Sequence, residues 1–437
     1  MKGHKTLRLH VRLSCVEAGP SGLDRLGNRV VPTVHPPGAR CRAPPRSVPG
    51  NTRAKEIKPP EDTFSIHSAS LARLGQPRLA VATGVWLDIP LAILENTQSH
   101  IQELSLTKPI RAKISALGTY LPPRVLTNAD LENMVDTTHE WIMERVGVRE
   151  RHLADKGVAA SDLAVEAVKN LLASHPFDLQ QVDLIVVGTV TPDMMYPSTA
   201  CLVQHKLGIE NTWGFDISAG CSGFLYALNT GVKFVESGQY NKVLVIGSDV
   251  NSSMTDYTDR SVCIIFGDGA GAVLLEPSED DEIGVLDHVA QIEGMGGQFL
   301  CMPGGGSLNP ATHETVDRKM HYIHQDGKNV FKYAVKKMAE MTERILEKNK
   351  LTGKDIDCFI AHQANRRIIT ATADRLRMPL EKVIINIDRF GNTTAGTIPI
   401  AMQTALDERR LKKGDRVLIA TVGAGFTSGA TLLRWAF

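Results

Sequence analysis

The chain repeats itself at one spacing, and that repeat restricts the available folds more than any other feature. "VDLIVVG" begins at Val182 and "IDCFIAH" at Ile356, while "KVLVIG" carries Val243 where "RVLIAT" carries Val417, so both pairs lie 174 residues apart. A third echo links "GDGAGAVLLE" near Gly267 to "GAGFTSGATLL" near Gly423. Two equal offsets across otherwise dissimilar sequence indicate a duplicated half. The repeated runs are rich in Val and Ile without polar alternation, as expected of strands buried on both faces, and stretches at helical spacing separate them. From about Ile110 the chain therefore reads as α/β. The polar "PSEDDEIG" puts the boundary near 280–290, giving halves of residues 109–285 and 286–437.

Residues 1–108 read differently. The first 58 hold twelve Lys or Arg against Glu17, Asp24 and Glu56, and include the proline-rich "HPPGARCRAPPRSVPG". No amphipathic period persists there, which predicts disorder: an unstructured tail, an acid-poor targeting peptide, or upstream sequence attached by a misplaced start. Over the whole chain the net charge is +1, so nothing resembles the global basic field of a nucleic-acid binder. Absence of an apolar run of about 20 residues argues against a membrane span, and a cytoplasmic protein is expected.

Seven cysteines without a C-x-x-C pair argue against a disulfide scaffold or a zinc ribbon, and no metal site is predicted. Cys201, Cys263 and Cys358 sit among apolar neighbours and read as small buried hydrophobes. Cys221 is different. In "FDISAGCSGFLYAL", a strand from Phe215 to Ile217 runs through a tight turn into a helix whose apolar positions are Phe224, Leu225, Leu228, Val232 and Val235. A thiol at the start of that helix meets the positive end of its dipole, which predicts an enriched thiolate. Gly220 and Gly223 leave room for close backbone approach.

Two further residues follow apolar runs. His362 ends the strand in "DCFIAHQANRRII", and Asn392 lies between a predicted strand and a helix beginning near Thr397 in "VIINIDRFGNTTAGTIPIAM". By the 174-residue offset Cys221 corresponds to position 395, so Asn392 falls in the loop equivalent to the cysteine's own. All three follow carboxyl ends of strands, where open α/β sheets place their ligand sites. A pseudo-twofold duplication would bring those ends together.

"LTNADLENMVDTTHEWIMERVGVRERHLA", "DISAGCSGFLYAL", "FGDGAGAVLL", "HQANRRII" and "FGNTTAGTIP", taken together, resemble the beta-ketoacyl-acyl-carrier-protein synthase III family of the thiolase superfamily. The resemblance covers about 109–437. It implies a thiolase-like fold of two duplicated halves in an αβαβα arrangement, and a decarboxylative Claisen condensation that starts fatty-acid chains. An acyl group passes from coenzyme A to Cys221, and the acyl-enzyme is attacked by the carbanion of decarboxylating malonyl-acyl carrier protein. His362 and Asn392 match the pair that stabilises the enolate, a role suited to hydrogen-bond donors rather than to a carboxylate base. The N–H of Cys221 with that of a glycine near Gly425 would form the oxyanion hole. Trp141, Arg145 and Arg260 match the coenzyme A mouth, where rings and guanidinium groups stack on adenine and pair with phosphate. Arg366 and Arg367 would belong to a patch that docks the acidic carrier protein. Tyr196, with Met195 beside it, matches an acyl-pocket position reached across a homodimer interface. No cofactor is implied, coenzyme A thioester being a substrate.

A degradative thiolase would need a second cysteine in the C-terminal glycine loop, and "TVGAGFTSG" has none. A closer rival uses the same three residues to transfer acyl groups to another acceptor in secondary metabolism, and the motifs leave it open. "GDGAGA" precedes a strand rather than a helix, so it fails the context of a dinucleotide-binding loop.

Overall fold

The computed structural model describes residues 110–437, together with two three-residue strands, Arg78–Ala80 and Trp86–Asp88, that pair antiparallel. The expectation of disorder over 1–108 lies outside the described residues apart from those two strands.

The duplication appears strand by strand. In the first half, β1 (Ala112–Tyr120), β2 (Leu184–Gly188), β3 (Trp213–Ile217), β4 (Val243–Asp249) and β5 (Gly269–Pro277) form one sheet in the order β1-β5-β4-β2-β3. In the second, β6 (Gly284–Ile292), β7 (Cys358–Ala361), β8 (Arg416–Gly423) and β9 (Thr427–Arg434) form another in the order β6-β9-β8-β7. The registers agree as well as the order. Leu184 pairs with Val243 in parallel, and 174 residues later Cys358 pairs with Val417 in parallel. Even the irregularity recurs, because β1 shifts register between Ile114 and Ala116 and β6 between Val285 and Asp287. The third echo has a shorter offset because the β4–β5 connection spans 250–268 whereas β8–β9 needs 424–426.

Helices complete five layers. In β2, Leu184 and Val186 face the centre while Ile185 and Val187 face outward, the period of two that a pleated strand imposes. In β7, Cys358 and Ile360 face the centre, and Phe359 and Ala361 face outward. Between the sheets lie α3 (Gly223–Glu236) and α6 (Thr397–Asp407), which contribute Phe224, Leu225, Leu228, Ile398, Ala401 and Met402 to one core shared by both halves. On the first sheet's outer face pack α1 (Ala160–Ser174) and α2 (Thr199–Leu207), and on the second sheet's α4 (Gly327–Lys348) and α5 (Arg366–Arg375). Both faces of each sheet are thus covered, which is why the strands read as unbroken apolar runs. Each fully buried Leu, Ile or Phe in these layers adds roughly 1.5–3 kcal/mol.

Two local expectations change. The run "VIIN" before Asn392 is not a strand: a single bridge joins Val383 to Phe359, and the backbone N–H of Asn386 turns away to Gln363 Oε1 (3.0 Å). Cys201 is exposed, since α2 buries Thr199, Ala200 and Val203 instead, while Cys263 and Cys358 are buried as expected. Among the described residues no helix is long and apolar enough to cross a membrane.

Candidate active site

The central layer delivers the cysteine. A 3-10 turn over Gly220–Ser222 precedes α3, and Gly220 takes φ +56°, a left-handed conformation that suits glycine. The turn is fastened to the second half, with Thr427 Oγ1 donating to Ala219 O (2.7 Å) and Thr421 Oγ1 to Ser222 Oγ (3.1 Å). Close contact makes Gly423 necessary: a Cβ there would lie 2.6 Å from Cys221 N.

His362 follows β7 directly, and its backbone N–H extends the ladder to Ala420 O (2.8 Å). The next residue anchors it, because Gln363 N–H donates to Thr397 Oγ1 (3.1 Å) and Gln363 Nε2 to Ala361 O (2.8 Å). The Asn392 loop is pinned to the first half: Asn392 N–H donates to Ile265 O (2.9 Å) and Gly267 N–H to Asn392 O (3.0 Å). Asn392 Oδ1 accepts from Thr394 N–H (2.9 Å), which leaves the amide NH₂ to point elsewhere. That amide stands close enough to the Cys221 sulfur to favour its thiolate form.

Cys221, His362 and Asn392 line one cavity of about 560 Å³, and all three are buried. Burial pushes the His362 imidazole down to about 3, so the ring is neutral at physiological pH. Neither ring nitrogen has a hydrogen-bond partner among the described residues. A neutral ring with an uncommitted N–H and an amide NH₂ on the same cavity suit a developing enolate oxygen. The thiol departs from its expectation. Burial first, and then the charge of Asp249, push Cys221 up to about 12, while the nearby Asn392 amide and a backbone N–H pull it down less. Desolvation outweighs the helix terminus, so the resting group is a thiol, not a thiolate.

Trp141 and Arg145 line the same cavity from the helix His139–Arg145. Arg145 stands 5.9 Å and Arg260 5.5 Å from the Trp141 ring centroid, although Arg260 itself is not on the cavity wall and pairs with Asp136 (3.2 Å). Asn365 Nδ2 donates to Arg145 O (2.9 Å) and Arg366 N–H to Val146 O (2.9 Å), joining this mouth to the start of α5. Arg366 and Arg367 are both exposed, with Arg367 on the cavity wall beside Phe331.

Matches with known families then bear on the same residues. The model described as 3-Oxoacyl-[acyl-carrier-protein (ACP)] synthase III matches residues 215–294, and that described as its C terminal matches 346–435. A beta-ketoacyl-[acyl-carrier-protein] synthase III of Koribacter versatilis is 76% identical over 333 residues, covering 76% of this chain and 100% of that one. This chain belongs to the beta-ketoacyl-acyl-carrier-protein synthase III family. Among solved structures, the 3-oxoacyl-[acyl-carrier-protein] synthase III of Aquifex aeolicus aligns at 42% identity and TM-score 0.68, over 74% of this chain and 100% of that one. The Thermus thermophilus enzyme aligns at 40% and 0.69, over 74% and 99%. The thiolase-like fold expected from the sequence is the one observed.

Some expected residues of a family synthase III site stand apart from this cavity. Tyr196 and Met195 are 85% and 78% exposed and do not line it within one chain. Gly425, at φ +136°, lies between cavity-lining Gly423 and Phe426 rather than on the wall. Sequence reasoning passed over Gly423, Phe331, Phe426 and the apolar wall of Ile264, Ile265 and Phe266. Gly423 carried a signal, since the 174-residue step pairs it with Asp249 at the end of β4. Phe426 carried none, because it reaches the wall by stacking on Tyr333 of α4 at 3.9 Å.

Proposed function

We propose that Cys221 takes an acyl group from coenzyme A and that His362 and Asn392 then stabilise the enolate formed as malonyl-acyl carrier protein loses carbon dioxide. The enzyme is a synthase III acting at the start of fatty-acid synthesis. In the first half-reaction the Cys221 sulfur forms the new thioester as the acyl–sulfur bond to coenzyme A breaks, and the thiol proton passes to the departing coenzyme A sulfur. In the second, the C–CO₂ bond of the malonyl group breaks, its electrons form a C–C bond to the acyl carbonyl, and Cys221 departs to give 3-oxoacyl-acyl carrier protein. The observation that carries this reading is the neutral, unpartnered His362 ring sharing one buried cavity with the Asn392 amide and the Cys221 sulfur.

Backbone N–H groups of Cys221 and of the segment through Gly425 are the proposed oxyanion donors. Trp141, Arg145 and Arg260 would receive the coenzyme A nucleotide, and Arg366 and Arg367 the acidic carrier protein. Tyr196 and Met195, exposed on a single chain, suit an acyl pocket completed by a second copy, hence a homodimer. We assign the chain to the cytoplasm, divide its ordered part into halves of 109–285 and 286–437, and call for no small molecules beyond the thioester substrates.

The test is intact-protein mass spectrometry after exposure to acetyl-, isobutyryl- and octanoyl-coenzyme A, followed by malonyl-acyl carrier protein. Cys221→Ser should form no acyl adduct. Asn392→Ala should keep the adduct but discharge it about a hundredfold more slowly. Equal loss of both half-reactions in the asparagine variant would sink the division of roles, and an adduct that malonyl-acyl carrier protein cannot discharge in the unmodified enzyme would point to another acceptor.

A further inference from the structure

Asp249 ends β4 fully buried, and the chemistry above makes no use of it. Its two oxygens divide their partners between the halves. Oδ1 accepts from the first half: Thr189 Oγ1 (3.1 Å), Val190 N–H (2.8 Å), Thr191 N–H (3.2 Å) and Thr191 Oγ1 (3.0 Å). Oδ2 accepts from the second half: Thr394 Oγ1 and Ala395 N–H (2.9 Å).

The 174-residue step explains the second set. It pairs Gly220 with Thr394, Cys221 with Ala395 and Gly423 with Asp249. The corresponding turns match, a 3-10 turn over Gly220–Ser222 before α3 and another over Thr394–Gly396 before α6. Both turns need a left-handed residue at the same place, with φ +56° at Gly220 and +45° at Thr394. A β-branched residue in that region is an outlier that lasts only where its surroundings fix it. Asp249 supplies the fixing contact through Thr394 Oγ1, helped by Asn251 Nδ2 at 3.3 Å. The turn so held includes the Thr394 N–H that orients Asn392 Oδ1.

We propose that Asp249 is a positioning residue for the condensation step: its Oδ2 accepts from the Ala395 N–H, the counterpart of the Cys221 N–H, and locks the Thr394 turn that aims the Asn392 amide. In the cysteine half the counterpart of this carboxyl group is Gly423, so that turn receives no side-chain acceptor from this position of β8. The proposal rests on the role assigned to Asn392.

Asp249→Asn discriminates between the two oxygens, because an amide can keep an acceptor at Oδ1 while presenting NH₂ to donors at the Oδ2 position. The expected result is acyl-adduct formation no slower than in the unmodified enzyme, since removing the Asp249 charge eases deprotonation of the Cys221 thiol, with discharge by malonyl-acyl carrier protein slowed about a hundredfold, as for Asn392→Ala. Combining Asp249→Asn with Asn392→Ala should add nothing to the loss from Asn392→Ala alone, since both act through one group. Parallel loss of both half-reactions, or losses that multiply in the double variant, would overturn the proposal. If Asp249→Asn fails to fold, Thr394→Val carries the same prediction, and Thr394→Ser, which keeps the hydroxyl, should restore discharge; a Thr394→Val enzyme that discharges normally would refute it. Asn392→Ala discharging at the unmodified rate would instead remove the role of Asn392 and this proposal with it.

Discussion

The ends of β2 and β7 are related by the same step along the chain, yet they differ in whether a side chain fits there. His362 follows β7, and its counterpart is Gly188, where a Cβ would lie 2.5 Å from the backbone carbon of Gly223. At Gly247 in β4 a Cβ would lie 2.3 Å from Ala395 O. The end of β2 is thus closed against the α3 backbone and β4 against the Thr394 turn, whose Ala395 N–H Asp249 satisfies. The end of β7 instead stands open on the cavity, where the His362 side chain has room. Duplication supplied equivalent strand ends, and at the β2 and β7 pair the packing distance between backbones decided which one can carry a side chain into the cavity.

Gly423 offers the strongest way to break that difference. Gly423→Ala puts a Cβ against the backbone nitrogens of Cys221 (2.6 Å) and Ser222 (2.9 Å), neither of which is a flexible group. Displacing the cysteine turn by about 1 Å should slow acylation about a hundredfold, read as the rate of adduct formation. Unchanged acylation would mean that the end of β8 tolerates a side chain as the end of β4 does.

A pH experiment isolates the histidine that one half has and the other lacks. His362 has a folded-state value of about 3, below the ordinary 6.5, so on acidification the unfolded chain takes up this proton first. Its contribution to stability is complete above about pH 6.5 and declines as pH falls toward 3. Between pH 6.5 and 5, His362→Gln should therefore lose less stability than the parent, by about 1–2 kcal/mol in denaturant midpoints compared at equal slope. Parallel acid dependence in the two proteins would mean that the imidazole is not held neutral by burial.

The smallest effect concerns the helices at the two rims. In α2 the N–H groups of Thr199 and Ala200 close on the Asp216 carboxylate (2.6 and 2.9 Å), whereas α5 opens with exposed Arg366 and Arg367. Arg366→Glu should raise KM for malonyl-acyl carrier protein about fivefold, and more at low salt, while acylation by acyl-coenzyme A stays unchanged. A matching change in acylation would place Arg366 in the coenzyme A mouth instead.

The sequence made the duplicated α/β plan legible because buried strands leave a dense, local signature. A run such as "VDLIVVG" records burial on both faces, and a repeated interval records a repeated unit. Cys221, His362 and Asn392 could be picked out because each follows such a run at a glycine-rich or loop position. Less of the wall was legible. Phe426 and Phe331 are ordinary apolar residues in the sequence, and reach the cavity through the packing of α4 on the second sheet. The strand expected at "VIIN" failed because its polar neighbour Asn386 found a partner in Gln363, far along the chain.

Protonation was the matter that tertiary structure alone decided. A helix start after a glycine turn is a local feature, and by itself it argued for a thiolate at Cys221. Desolvation is not local: it arises from the burial of the cysteine in a turn fastened to the second half, with Asp249 brought close by the fold, and it reverses that expectation. The chain's own order thus determined which residues repeat and which break the repeat. How far each side chain stands from water, and which backbone leaves it room, depends on contacts between the two halves, such as Thr394 with Asp249 and Thr427 with Ala219.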